Sequence, residues 1–185
     1  MKVTNESEDN AKRSLMPKRV MVLGATGTIG RATVKALVER GHEVVCFVRA
    51  SRGSDIAPHQ HLSNLLRGSE VRFGDVTDPL SLARDGFRGE KFDVLVSCMA
   101  SRTGAPKDAW AIDHQAHVDA LATARETGAM HMVLLSAICV QRPLLAFQHA
   151  KLAFEKILIE SGLTYSIVRP TAYFKSLSPA RWQRF

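Results

Sequence analysis

The chain has 185 residues, of which 45% are hydrophobic and 23% charged, with a formal net charge of +7. That length suits one domain able to bury roughly 70% of its unfolded surface, and the composition is that of an ordinary globular protein. The positive balance suits anionic ligands; Lys and Arg are scattered rather than clustered, and no nucleic-acid motif is visible, which argues against nucleic acid. The three cysteines fall in or at the end of apolar runs, with an odd count and no CxxC, so reduced thiols are expected.

Residues 1–18 (MKVTNESEDNAKRSLMPK) are polar and of mixed charge, without the apolar segment of a secretory signal, and read as a disordered leader. RVMVLGA (19–25) is a short apolar run leading into glycines, a buried strand. TIGRATVKALVERG (28–41) follows as a helix closed by Gly41, and HEVVCFVR (42–49) as strand two. Residues 50–68 are irregular, with a helical turn around Leu62–Leu66. EVRFGDV (70–76) is strand three, and DPLSLARDGF (78–87) a short helix with Pro79 in its first turn. FDVLVSCMA (92–100) is strand four, 107–127 a long helix, HMVLLSAI (131–138) strand five, 145–162 a helix, and TYSIVRP (164–170) strand six. Such alternation implies right-handed crossovers and a doubly wound parallel α/β sheet in three layers, with strand order 3-2-1-4-5-6. No apolar run approaches the ~20 residues of a membrane span.

GATGTIG (24–30) lies between a buried strand and a helix, the setting in which a glycine trio signals dinucleotide binding. Gly24, Gly27 and Gly30 supply the tight turn, the approach of backbone to the pyrophosphate, and close helix packing. Thr26, Thr28 and Ile29 complete the cradle at a helix N-terminus. At the end of strand two, where NAD sites usually carry an acid, stand Arg49 and Arg52, which suit the 2′-phosphate of NADPH. Asp75 and Val76 in GDVTD can meet the adenine, although an Asp there can also cap a helix, a role better suited to Asp78. Met99 and Ala100, in SCMAS at the carboxyl end of strand four, line the cofactor's path. His114 and His117, three apart in the long helix, lack a third metal ligand, and His59 and His61 lie in a loop; no metal is expected.

These motifs, with the strand-five serine and the lysine of AFQHAK (146–151), resemble atypical short-chain dehydrogenases/reductases of the NmrA-like kind. The longer stretches GATGTIGRATVKALVERGHEV, FDVLVSCMASRTGAPKDAWAID and LLSAICVQRPLLAFQHAKLAFEKILIESGLTYSIVRPTAYFKSLS resemble the divinyl chlorophyllide a 8-vinyl-reductase family. The resemblance covers about residues 18–178 and implies an NADPH-dependent oxidoreductase that reduces the C8 vinyl of a tetrapyrrole, divinyl chlorophyllide or protochlorophyllide, to ethyl in (bacterio)chlorophyll synthesis. It leaves a bacterial cytoplasm and a plastid both open.

Where related reductases carry a tyrosine that protonates an alkoxide, this chain has Phe147. Hydride added to a vinyl group conjugated with a tetrapyrrole leaves charge that the macrocycle spreads, so no acid is required at that place. The resemblance implies that Lys151 holds the nicotinamide ribose and that Ser136 orients cofactor or substrate. Water, Lys151 and Tyr173 stand as alternative proton donors. Phe147 equally suits a non-catalytic NADP(H)-binding sensor. The final SPARWQRF matches nothing expected of the family; residues 19–178 are read as the Rossmann domain and 179–185 as an unstructured tail, with a substrate-binding C-terminal part expected to be missing, so that an inactive truncated product stands as an alternative to the enzyme.

Overall fold

The computed structural model describes residues 16–49 and 62–171. Arg52, Tyr173, the expected tail and most of the expected leader therefore lie outside the described residues.

The elements follow the expected alternation: β1 (Arg19–Leu23), α1 (Thr28–Glu39), β2 (Glu43–Arg49), β3 (Glu70–Gly74), α2 (Pro79–Ser81), β4 (Val94–Ser97), α3 (Pro106–Ala109), α4 (Ala116–Glu126), β5 (His131–Leu135), α5 (Ala146–Glu160) and β6 (Thr164–Val168). All strand pairs are parallel, in the order β3-β2-β1-β4-β5-β6. The central strands are apolar on both faces because each face is covered. Val20 and Val22 point to one layer, with Val34 of α1 and Leu66; Met21 and Leu23 point to the other, with Leu121 of α4 and Phe154 and Leu158 of α5. The chain reverses its winding direction between β1 and β4, which opens a crevice at the carboxyl ends of those strands.

Two expected helices depart from regular α geometry. Leu82–Phe87 and Trp110–Gln115 are π-helical, continuing α2 and joining α3 to α4. In each, a side chain claims a main-chain carbonyl: Arg72 Nη1 donates to Gly86 O at 2.6 Å, and His117 Nδ1 to Ile112 O at 2.8 Å. A widened turn frees carbonyls for such partners, and π-turns occur often at functional sites. β5 also ends at Leu135, sooner than the 131–138 expected, so Ser136 starts a loop, although its N–H still bonds Val168 O at 2.8 Å.

Candidate active site

The three glycines of the first loop have different reasons to be there. Gly24 has φ 73°, and a Cβ on it would stand 2.6 Å from the carbonyl carbon of Cys98. A Cβ on Gly30 would stand 2.1 Å from the carbonyl oxygen of Gly24. Packing of the chain on itself demands both. Gly27 is different: its φ is −69°, and a Cβ would meet only Gly24 O, at 3.4 Å. The fold leaves room for a side chain at 27, so the bare backbone there clears space for something else. Thr26, Gly27 and Thr28 are exposed and Ile29 is half-buried. No side chain caps α1 at Gly27, and its first turn holds no acid, so no carboxylate of that turn offsets the positive end of the helix. This cradle fits a diphosphate.

Arg49 ends β2, exposed, in register with Gly74 at the end of β3. Asp108 is held below the usual carboxylate range mainly by the Thr103 N–H and hydroxyl, and in smaller part by the charge of Arg49. The guanidinium's charge thus reaches α3, beyond the loop that follows β4. Asp75 turns one oxygen onto its own loop, accepting from the Thr77 N–H at 2.9 Å and the Thr77 hydroxyl at 2.7 Å. Asp78 caps α2, accepting from the Leu80 N–H at 3.0 Å, while Val76 packs against the core.

Lys151 lies on the buried face of α5, only 4% exposed. Its Nζ is 3.0 Å from Asp113 Oδ1, and donates to Met99 O at 3.3 Å and Leu135 O at 3.4 Å. An ammonium has three N–H donors, so these acceptors use all of them. Asp113 also receives the Ser101 N–H, at 3.3 Å to Oδ2. One turn beyond Lys151, buried Glu155 pairs with Arg169, which fixes the segment after β6 to the same helix. Met99 is buried and Ala100 exposed.

Beneath this pair lies a neutral network. The carbonyl of Ile112 can only accept, so His117 Nδ1 carries the proton; Nε2 then accepts from the Ser97 hydroxyl at 2.8 Å. Burial, and secondarily the charge of Lys151, push this imidazole down to about 3. Both ring nitrogens of the expected His114–His117 pair member are therefore engaged within the core.

One group stands apart. Ser136 is buried, and its hydroxyl has no hydrogen-bond partner, alone in this among the buried side-chain N and O atoms of the described residues. An unpaired buried hydroxyl costs about 1–3 kcal/mol and calls for an explanation, of which a missing ligand is one.

The tertiary structure thus joins the expected residues in a chain of contacts: Gly24 against Cys98 and Met99, Met99 to Lys151, and Lys151 to Leu135, the neighbour of Ser136. Arg49 and Asp75 stand apart, at the ends of β2 and β3. Asp113 was not anticipated from the sequence. Its signal was there: Ala109, Ile112, Ala116 and Ala120 mark a buried helical face, and Asp113 shares it. A groove of about 440 Å³ is lined by Trp110, His149, Leu152 and Lys156, and Lys151 is not among its lining residues.

Residues 24–179 match the NAD(P)H-binding family. The chain is 48% identical over 181 residues to the chloroplastic divinyl chlorophyllide a 8-vinyl-reductase of Cucumis sativus, a match covering 93% of this chain and 43% of that protein. With the reductase of the same name from Arabidopsis thaliana it is 46% identical over 176 residues, covering 89% of this chain and 42% of that one. It thus spans less than half the length of these curated relatives. Among solved structures, the Bordetella bronchiseptica enzyme WbmG in complex with NAD matches with a TM-score of 0.69 and 19% identity, over 83% of this chain and 53% of that one, a likeness of fold.

Proposed function

Because this chain belongs to the NAD(P)H-binding family, we propose that it holds NADPH at the carboxyl edge of its sheet and serves the reduction of the C8 vinyl group of divinyl chlorophyllide or protochlorophyllide to ethyl. The observation that carries this reading is the 48% identity over 181 residues with the cucumber reductase. The chloroplastic setting of that relative favours a plastid over a bacterial cytoplasm.

The residues present suit the cofactor. The loop Gly24–Gly30 and the N-terminus of α1 would hold the diphosphate, with the bare backbone of Gly27 leaving room for it. Arg49, with Arg52, would pair with the 2′-phosphate, and Asp75 and Val76 would flank the adenine. Met99 and Ala100 would line the path between the two halves. When bound, NADPH supplies the hydride.

The chain's own residues do the remaining work. Asp113 anchors Lys151 as a cation in a buried place, so the lysine keeps its charge near the reacting end. Its two longer bonds, to Met99 O and Leu135 O, are those a ribose hydroxyl would replace. The Ser136 hydroxyl offers both a donor and an acceptor to cofactor or substrate. Phe147, half-buried four residues before Lys151, presents an apolar ring where an acid would serve carbonyl chemistry. Water, Lys151 or Tyr173 would return the proton.

One observation favours a second reading, an NADP(H)-binding sensor without turnover: position 147 has no hydroxyl. Incubation with NADPH and divinyl chlorophyllide separates the two. Loss of the divinyl absorption bands with matched NADPH oxidation is expected for the reductase; tight NADPH binding with unchanged bands would mean the sensor. Arg49→Ala is expected to weaken NADPH binding about tenfold or more and leave NADH binding alone, since an arginine–phosphate pair is worth about 1.5–3 kcal/mol. Unchanged NADPH affinity would remove the basis for preferring NADP(H).

A further inference from the structure

The loop between Ser136 and α5 exposes more large apolar surface than its anchoring requires. Ile138 is 48% exposed, Leu145 56% and Leu144 89%, in a single segment of eight residues. This segment is tied down, not loose. Val140 is fully buried, and the buried side chain of Gln148 clasps both ends of the loop. Its Oε1 accepts from the N–H of Leu144 at 3.0 Å and of Leu145 at 3.1 Å, and its Nε2 donates to Ile138 O at 3.3 Å. Cys139 holds φ 63°, a left-handed conformation that costs a non-glycine residue about 1–2 kcal/mol. A strained, clasped loop that holds leucines toward water spends stability to keep an apolar face preformed.

That segment adjoins the candidate site along the chain. It starts two residues after the unpartnered Ser136 and runs into α5 one residue before Ala146, beside Phe147. Arg142 is exposed in the same turn, where its backbone N–H donates to Cys139 O at 3.0 Å. An apolar platform with a cation on its rim matches a flat apolar ring that bears a carboxylate.

We propose that Ile138, Leu144 and Leu145, with Phe147, form the platform on which the macrocycle of a carboxylated tetrapyrrole lies, that Arg142 takes its carboxylate, and that Gln148 is the positioning residue that holds the platform in shape. The assignment rests on the proposed tetrapyrrole substrate and says which surface of this chain receives it.

The test reads ring binding apart from turnover, by the absorption shift and fluorescence anisotropy of chlorophyllide a titrated into the full chain with NADPH present. Leu144 and Leu145 are exposed, so Leu144→Ser/Leu145→Ser is expected to leave the fold intact. It is expected to weaken ring binding about tenfold or more, at unchanged NADPH affinity. Arg142→Ala is expected to weaken binding of the free acid but not of its methyl ester. Gln148→Leu is expected to weaken ring binding and to speed proteolysis within 138–145. Equal ring binding by parent and double-serine variant overturns the platform, and leaves the vinyl reduction to be judged by its own absorption assay. Absence of ring binding by the parent with NADPH retained also overturns it. So does a change from dimer to monomer in the double variant without an effect on the ring, which would make the face a contact between copies.

Discussion

Two buried cations, at opposite edges of the same sheet, show what separates a scaffold from a site. Arg72 is 2% exposed on β3 and donates to Glu70, Glu90 and the carbonyl of Gly86, and Glu90 in turn pairs with Arg19 at the start of β1. The acids in this network are partly open to water, with side-chain exposures of 45% for Glu70 and 34% for Glu90. Lys151, nearly as buried, relies on one carboxylate, Asp113, whose side chain is 0% exposed. Around Arg72 the charges are stitched through the amino edge to solvent. Around Lys151 they are sealed in, close to the unpaired hydroxyl of Ser136. Both networks satisfy their cation, but only the second has an unpaired buried hydroxyl beside it.

The largest effect expected from this contrast is at Asp113. Asp113→Leu leaves Lys151 as a buried cation without a counter-charge, and urea unfolding is expected to show a loss of about 3–5 kcal/mol. Adding Lys151→Met is expected to recover most of that loss while NADPH binding stays impaired. Arg72→Met is expected to cost less, about 1–3 kcal/mol, because water can reach Glu70 and Glu90, and to leave NADPH affinity unchanged. Equal costs for Asp113→Leu and Arg72→Met would erase the distinction between the two edges.

His117 sharpens the contrast through pH. The folded chain keeps its imidazole neutral down to about 3, whereas in the unfolded chain it titrates near 6.5. Between these values the unfolded state binds more protons, so stability is full above 6.5 and falls as pH drops. About 2 kcal/mol is expected to be lost between pH 6.5 and pH 5, a range in which most carboxylates keep their charge. His117→Gln should remove most of this slope in urea midpoints measured against pH; an unchanged slope would mean that His117 is not buried neutral.

The smallest effect on stability, and the most telling for the site, is at Ser136. Because its hydroxyl has no partner, Ser136→Ala should leave stability within about 1 kcal/mol of the parent, or raise it. Affinity for NADPH or for the ring should nevertheless fall. A loss of stability with binding intact would make Ser136 a core residue and nothing more.

Much of this molecule was legible along the chain. The run of short apolar strands and glycine-closed helices implied the parallel sheet and its order, because a strand apolar on both faces must be covered on both. Gly24, Gly27 and Gly30 could be picked out as a trio, but only the packing shows that Gly24 and Gly30 serve the chain itself, whereas Gly27 leaves a space. The long helix over 107–127 was legible as helix but not as interrupted, since its π-turn answers to the His117 ring reaching the carbonyl of Ile112. Asp113 escaped notice because a single acid in a helix ordinarily faces water; its partner lies 38 positions away on α5 (151 − 113 = 38).

By itself, then, the order of residues determined which segments are strands and helices, the handedness of their connections, and the place of a glycine-lined helix end, because these follow from short-range periodicity and backbone sterics. Only the tertiary structure decided which charges are sealed from water, which hydroxyl is left unpaired, and which leucines are held out to solvent. Those properties depend on neighbours brought together from distant positions, and no local pattern in the chain encodes how much water reaches them.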